Sequence, residues 1–202
     1  MKILITPYEK HRSKITSLLN KMHPNGIGAE IGVKQGKFSK ILMDGWLGCK
    51  LCLIDPWEDQ DKSIYDESVH DHDSDYQTML LNLKDYSNRY EIIKQYSTDA
   101  HSNFTKNSLD FIYIDGNHSY EGVKSDLELF YPKLKNGGIM MGDDYHQHDI
   151  EKVFDANFGV TKAVNEFCFK NNHNVSINYY GDWYYKISET EKIPSRNWMF
   201  IK

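Results

Sequence analysis

Three carboxylates, Asp115, Asp143 and Asp144, follow two short apolar runs, residues 109–114 and 138–141. If those runs are neighbouring parallel strands, the three acids meet at one sheet edge, where they would repel one another unless neutralised. A divalent cation that prefers hard oxygen ligands, Mg²⁺ first and Mn²⁺ or Ca²⁺ as alternatives, would relieve that repulsion. Taken singly, each Asp also reads as a helix cap or a solvated turn. His118 stands three residues beyond Asp115. Imidazole exchanges protons near neutral pH and suits removal of a proton from a metal-bound hydroxyl; the plainer role is lining or capping a cavity. His146 and His148 are second candidates for that proton. Asp115 and His118 are thus the candidate catalytic residues, and Asp115, Asp143 and Asp144 the candidate metal ligands.

A second constellation could bind a nucleoside. Ala29-Glu30-Ile31-Gly32-Val33-Lys34-Gln35-Gly36 joins an apolar run to a segment with helical period. Glycine lets backbone approach a ligand closely, and the following helix start offers free N–H groups. A plain strand-to-helix turn has the same pattern. Leu53-Ile54-Asp55-Pro56 places a carboxylate about 20 residues on, the spacing at which such folds hold a ribose diol. Ser97-Thr98-Asp99-Ala100 offers Asp99 to an adenine amino group, and Thr98 and Asp99 equally suit helix capping.

The elements that must position these residues alternate. Apolar runs at 27–33, 51–54, 90–96, 109–114 and 138–141 read as buried parallel strands. Helix-period segments lie between or after them at 36–43, 75–86, 98–105 and 119–134, with a further helix at 160–170. Alternation of this kind means a mostly parallel α/β sheet with helices on both faces. Runs at 174–180 and 183–188, separated by Gly181-Asp182, predict a terminal antiparallel hairpin, which brings the sheet to seven strands.

The three turns together resemble the cofactor motifs of class I S-adenosylmethionine-dependent methyltransferases, whose Rossmann-like fold ends in such a hairpin. The resemblance implies Glu30 near the methionine moiety, Asp55 on the ribose and Asp99 on adenine, with Gly32, Gly36, Ala100 and Asp115 completing the cofactor set. Lys34 departs from the commonest form, which has a glycine there. Residues 26–170 also resemble the metal-dependent O-methyltransferases that act on sugars of macrolide and aminocoumarin antibiotics. That likeness rests on Asp115-Gly116 with Tyr120-Glu121, Tyr131-Pro132-Lys133-Leu134 with Gly137-Gly138, Asp143-Asp144-Tyr145, and the run from Gly159 to Val164. It implies S-adenosylmethionine and a divalent metal, Mg²⁺ foremost, as cofactors, with the strand-four Asp and the acidic pair as ligands and His118 as base. The long N-terminal extension of that family is missing, so its substrate specificity does not carry over. A sugar or phenol-like small-molecule hydroxyl is the expected acceptor. A nicotinamide-dependent oxidoreductase and a non-catalytic S-adenosylmethionine-binding module are the competing readings.

Length and composition set the remaining expectations. The 202 residues suit one domain, with a helical N-terminal segment at 1–25. A net charge of −5 gives no general attraction to nucleic acid. No run is long and apolar enough to span a membrane, and the expected location is cytoplasmic. Cys49, Cys52 and Cys168 read as reduced thiols, despite the Cys49-x-x-Cys52 spacing. Residues 57–75, rich in acid, read as a mobile loop or a lid, and His70 and His72 there are poorly placed for metal. Trp57, Tyr65, Tyr145, Trp183 and Trp198 would line an acceptor pocket, pack in the core or make a homo-oligomer contact. Residues 193–202 would dock on the domain or on a partner subunit.

Overall fold

The computed structural model describes residues 3–5, 14–59, 71–145, 158–186 and 192–202, with side chains described at 14–59, 71–145, 158–177 and 196–202. In chain order the principal elements are β1 (Ile3–Ile5), α1 (Lys14–Met22), β2 (Ile27–Ile31), α2 (Lys37–Gly45), β3 (Lys50–Ile54), α3 (His72–Asn82) and β4 (Tyr90–Ile93). They continue with α4 (Ser97–Ala100), β5 (Leu109–Ile114), α5 (Tyr120–Phe130), β6 (Leu134–Gly142), α6 (Val160–Lys170), β7 (Val175–Lys186) and β8 (Lys192–Ile201).

All the strands join one sheet in the order β1-β7-β8-β6-β5-β2-β3-β4. β2 to β6 are mutually parallel, and β8 runs antiparallel to both β6 and β7. The five parallel strands match the expected sheet, and β7 and β8 complete the expected seven; β1 adds an eighth, parallel to β7, in a segment expected to be helical. Register aligns the strand ends. Ile31 pairs with Ile54 on one side and Ile114 on the other, Ile54 with Ile93, Ile114 with Gly142, and Gly142 with Trp198. The chain leaves β2 toward β3 and β4, then returns to the other side of β2 as β5, which makes the β2/β5 boundary the topological switch point.

Successive strand residues face opposite sides, and each side has its own core. Ile31, Cys52, Ile54, Ile112, Met140, Trp198 and Phe200 pack with α5 and α6, whereas Leu51, Leu53, Phe111, Tyr113, Ile139 and Met141 pack with α1, α2 and α3. The near-continuous apolar runs follow from burial on both faces.

The terminal hairpin exists, but its turn is not at Gly181-Asp182. β7 continues through those residues, and Tyr179 pairs with Arg196 while Tyr184 pairs with Pro194. Five steps along β7 therefore oppose two along β8, so the Gly-Asp pair sits in a bulge of three extra residues. Glycine loosens a ladder as readily as it turns one. Residues 192–201, expected to dock as a tail, are instead β8, inserted between β6 and β7. Trp57, Tyr145 and Trp198 are 3%, 1% and 0% exposed, which makes them core residues rather than pocket lining. Tyr65, His70, His146 and His148 lie outside the described residues, as does the side chain of Trp183.

Cys49, Cys52 and Cys168 are free, and burial pushes the thiols of Cys52 and Cys168 up to about 11 and about 12. Among the described residues no helix is long and apolar enough to cross a membrane.

Trp198→Ala is expected to lower stability by about 3–5 kcal/mol in equilibrium urea unfolding, since it empties a fully buried site in a central strand. A loss below about 1 kcal/mol would contradict that placement.

Candidate functional site

The glycine-rich connection lies between the end of β2 and α2. Gly32, Lys34 and Gly36 have φ of 84°, 51° and 67°. A β-carbon at Gly32 would sit 2.0 Å from the carbonyl oxygen of Asp115, so close approach of the neighbouring strand requires glycine there. Lys34 adopts the left-handed backbone that a glycine would adopt without strain. Two neighbours hold this loop. Asp55 Oδ2 accepts hydrogen bonds from the backbone N–H groups of Val33 and Lys34, both at 2.9 Å, and Oδ1 accepts from Trp57 N–H at 2.8 Å. Trp57 Nε1 donates to Lys34 O, Gln35 Nε2 to Asp75 Oδ1, and Asn82 Nδ2 to Gln35 O. The two ends of the acidic 57–75 connection therefore grip the loop.

Asp55 lies where a ribose carboxylate would lie, yet much of its accepting capacity is spent on its own backbone. Three of roughly four lone-pair positions are used, leaving about one for a ligand. Glu30 is buried on the α2 side of β2, where it accepts from Ser39 Oγ at 2.6 Å. Asp99 is exposed in the first turn of α4. Ala100 is fully buried and its N–H donates to Tyr96 O, so its methyl belongs to the core rather than to a ligand surface.

The second constellation forms at the ends of β5 and β6. Asp115 N–H donates to Ile31 O, and Asp143 N–H to Ile114 O, so both strand ends are fixed by the sheet. His118 Nε2 lies 3.6 Å from Asp115 Oδ1 and 3.2 Å from Asp144 Oδ2. One ligand atom each from Asp115, His118 and Asp144 fall within 4.8 Å of one another. This set differs from the expected one: His118 joins two of the acids, and Asp143 stands apart from the group. Asp143 is 5% exposed, and its Oδ1 accepts from Asp144 N–H at 2.9 Å and from Asn197 Nδ2 at 3.4 Å.

The approach of His118 to the acids depends on the start of α6. Phe158 stacks on the imidazole with centroids 4.9 Å apart, and Gly159 N–H donates to His118 O at 2.8 Å. The turn beneath is tied by Asn117 Oδ1, which accepts from Ser119 N–H, and by Ser119 Oγ, which accepts from Gly122 N–H and caps α5. Phe158 and Asn197 are site neighbours that the sequence does not single out, and Trp198, one of the aromatics weighed for a pocket, the core or an oligomer contact, is a third. Phe158 carried a weak local signal, one residue before the Gly159 run; nothing local tied Asn197 or Trp198 to the acidic turn, because they arrive from 54 and 55 positions away.

Comparison with known proteins bears on the family and the fold. A family model described as a methyltransferase domain matches residues 29–145. A stretch of 147 residues is 25% identical to an uncharacterised protein of Sinorhizobium fredii, covering 71% of this chain and 15% of that protein. The chain spans between 15% and 33% of the lengths of the curated relatives it matches. Among solved structures, the O-methyltransferase from Bacillus cereus in complex with SAH superposes with a TM-score of 0.62 at 15% identity, over 98% of this chain and 82% of that one. An rRNA methylase from Streptococcus thermophilus superposes with a TM-score of 0.58 at 14% identity, over 94% of each chain. Identities this low establish a shared fold.

α4 rests on a buried acid. Asp126 on α5 is 2% exposed, and burial pushes its carboxyl up to about 7 against the opposing pull of a hydrogen bond with Ser97. The folded protein thus binds this proton more tightly than the unfolded chain, where Asp titrates near about 3.9. Its contribution to stability is whole below about pH 4, is lost as pH rises to about 7, and then levels. Asp126→Asn cannot ionise. Urea melts in a pH series are expected to show the variant gaining on the wild type between pH 4 and pH 7, by up to roughly 1.4 kcal/mol per unit. A difference independent of pH would contradict this.

Proposed function

We propose that this chain, which belongs to the methyltransferase-domain family, transfers the methyl group of S-adenosylmethionine to a hydroxyl of a small molecule beside a divalent cation. One observation carries the reading: the convergence of Asp115, His118 and Asp144 at the sheet's C-terminal edge, next to the glycine-rich loop. The donor set fits a divalent cation. Two carboxylates supply negative charge and the hard oxygens that Mg²⁺ and Mn²⁺ prefer, and the imidazole beside them serves as proton acceptor rather than as a ligand. When bound, the cation would lower the pKa of an adjoining hydroxyl, and S-adenosylmethionine would supply the electrophilic methyl group.

The chain's own residues do the rest. Asp115 and Asp144 would hold the cation, and the acceptor would lie between them and the glycine-rich loop. His118, braced by Phe158 and Gly159, takes the hydroxyl proton at Nε2. The loop from Gly32 to Gly36 and the start of α2 cradle the methionine end with Glu30, while Asp55 keeps the loop in shape and offers its remaining acceptor position to the ribose. Asp99, exposed at the start of α4, would meet adenine. Alignment of two bound reactants is the main contribution of such a site. The net charge of −5 favours a small acceptor over a polynucleotide.

Calorimetric titration with S-adenosylhomocysteine, with and without Mg²⁺ after chelation, tests the reading together with turnover on a panel of hydroxyl compounds. Binding is expected in both states. Asp144→Ala should keep cofactor affinity and lose at least about 100-fold in metal-dependent turnover. Absence of cofactor binding, or full metal-dependent turnover in Asp144→Ala, would overturn it.

A further inference from the structure

We infer that β8 is the positioning strand of the acidic turn: Asn197 and Trp198 hold Asp143 so that Asp144 faces Asp115 and His118. The inference rests on the reading of that cluster as a cation site, and extends it to residues that touch no ligand. Three consecutive residues of β8 each bond the segment after β6. Arg196 O accepts from Tyr145 N–H at 2.9 Å. Asn197 Nδ2 donates to Gly142 O at 2.8 Å and reaches Asp143 Oδ1 at 3.4 Å. Trp198 Nε1 donates to Asp143 O at 3.1 Å. Side chains alternate along a strand, so Asn197 approaches from the face of Tyr113 and Trp198 from the opposite core. Asp143 is clamped from both faces of the sheet.

The clamp transmits to Asp144. The oxygen that meets Asn197, Asp143 Oδ1, also accepts from Asp144 N–H at 2.9 Å. Asp144 has φ of 59°, a left-handed conformation that surrounding contacts must hold in a residue with a side chain. That backbone turn directs its Oδ2 to within 3.2 Å of His118.

Asn197 has the chemistry of a positioning residue rather than a space filler. It is 1% exposed; its two N–H groups meet three acceptors, Gly142 O, Asp143 Oδ1 and Tyr113 Oη. Its Oδ1 is buried and accepts no hydrogen bond among the described residues. A half-satisfied buried amide costs stability that leucine in the same space would not cost, so the benefit of asparagine lies in its donors. The carboxylate it meets is itself buried, an arrangement poorly suited to stability alone.

The test titrates protein saturated with S-adenosylhomocysteine with Mg²⁺ and with Mn²⁺, and measures cofactor affinity and thermal melting alongside. Asn197→Leu removes the donors at similar volume; Trp198→Phe keeps the ring and removes only Nε1–H. Asn197→Leu should weaken metal binding about 10- to 100-fold, and Trp198→Phe roughly threefold, with cofactor affinity held within about twofold. If Asn197→Leu fails to fold, Trp198→Phe decides the matter by the same split. Metal affinity unchanged in the folded variants, with metal binding lost in Asp144→Ala, would overturn the inference and leave the cation site standing. Equal losses of metal and cofactor affinity would mean a structural role and also overturn it. A wild-type protein that binds neither ion would overturn the cation site and the inference together.

Discussion

The site depends on the level register of five parallel strands. Ile93, Ile54, Ile31, Ile114 and Gly142 form one continuous row of paired positions, and the residues that could do chemistry lie just past it. Asp55 follows Ile54, Asp115 follows Ile114, and Asp143 and Asp144 follow Gly142. A slip of one residue in the β5–β6 pairing would turn side chains to the opposite face and take Asp144 away from Asp115. Glycine at 32 and 142 serves this same alignment. A β-carbon at Gly142 would lie 2.4 Å from Ile114 O, as one at Gly32 would crowd Asp115 O.

The two ends of β5 show how an acid can be read from its surroundings. At the N-terminal end Asp110, 8% exposed, receives Lys135 Nζ on both carboxylate oxygens and Ile27 N–H on one. That arrangement ties the starts of β2, β5 and β6 together, and a lysine faces the acid there. At the C-terminal end Asp115 and Asp144 meet across an imidazole. Asp55 is a third case, in which the carboxylate shapes a loop by accepting backbone N–H groups. Acids of one type at comparable strand ends therefore have different uses, and hydrogen-bond partners distinguish them where spacing does not.

Much of the fold was legible because its signals are local. The apolar runs, the strand-to-helix turns and the carboxylates after β3, β5 and β6 each occupy a few adjacent residues. The failures share a physical cause, which is that the deciding partner is far away in the chain. Gly181-Asp182 carries the composition of a turn, but pairing with β8 makes it a bulge. For Trp198 the core was one of three readings left open, and residues more than 50 positions earlier decide it. Asp143 and Asp144 are adjacent in the chain, yet Asp144 is the one grouped with Asp115 and His118, while Asp143 Oδ1 meets Asn197. Ala100, expected in the cofactor set, has its methyl in the core.

The central claim is that Asp115 and Asp144 form a cation site, with His118 beside it as base, next to the glycine-rich loop. Anomalous diffraction from crystals grown with Mn²⁺ and S-adenosylhomocysteine tests it most directly. A single strong manganese peak within about 2–2.5 Å of carboxylate oxygens of Asp115 and Asp144, with the cofactor in the loop from Gly32 to Gly36, is the expected result. Bound cofactor with no peak between those residues, or with manganese elsewhere, would contradict the claim.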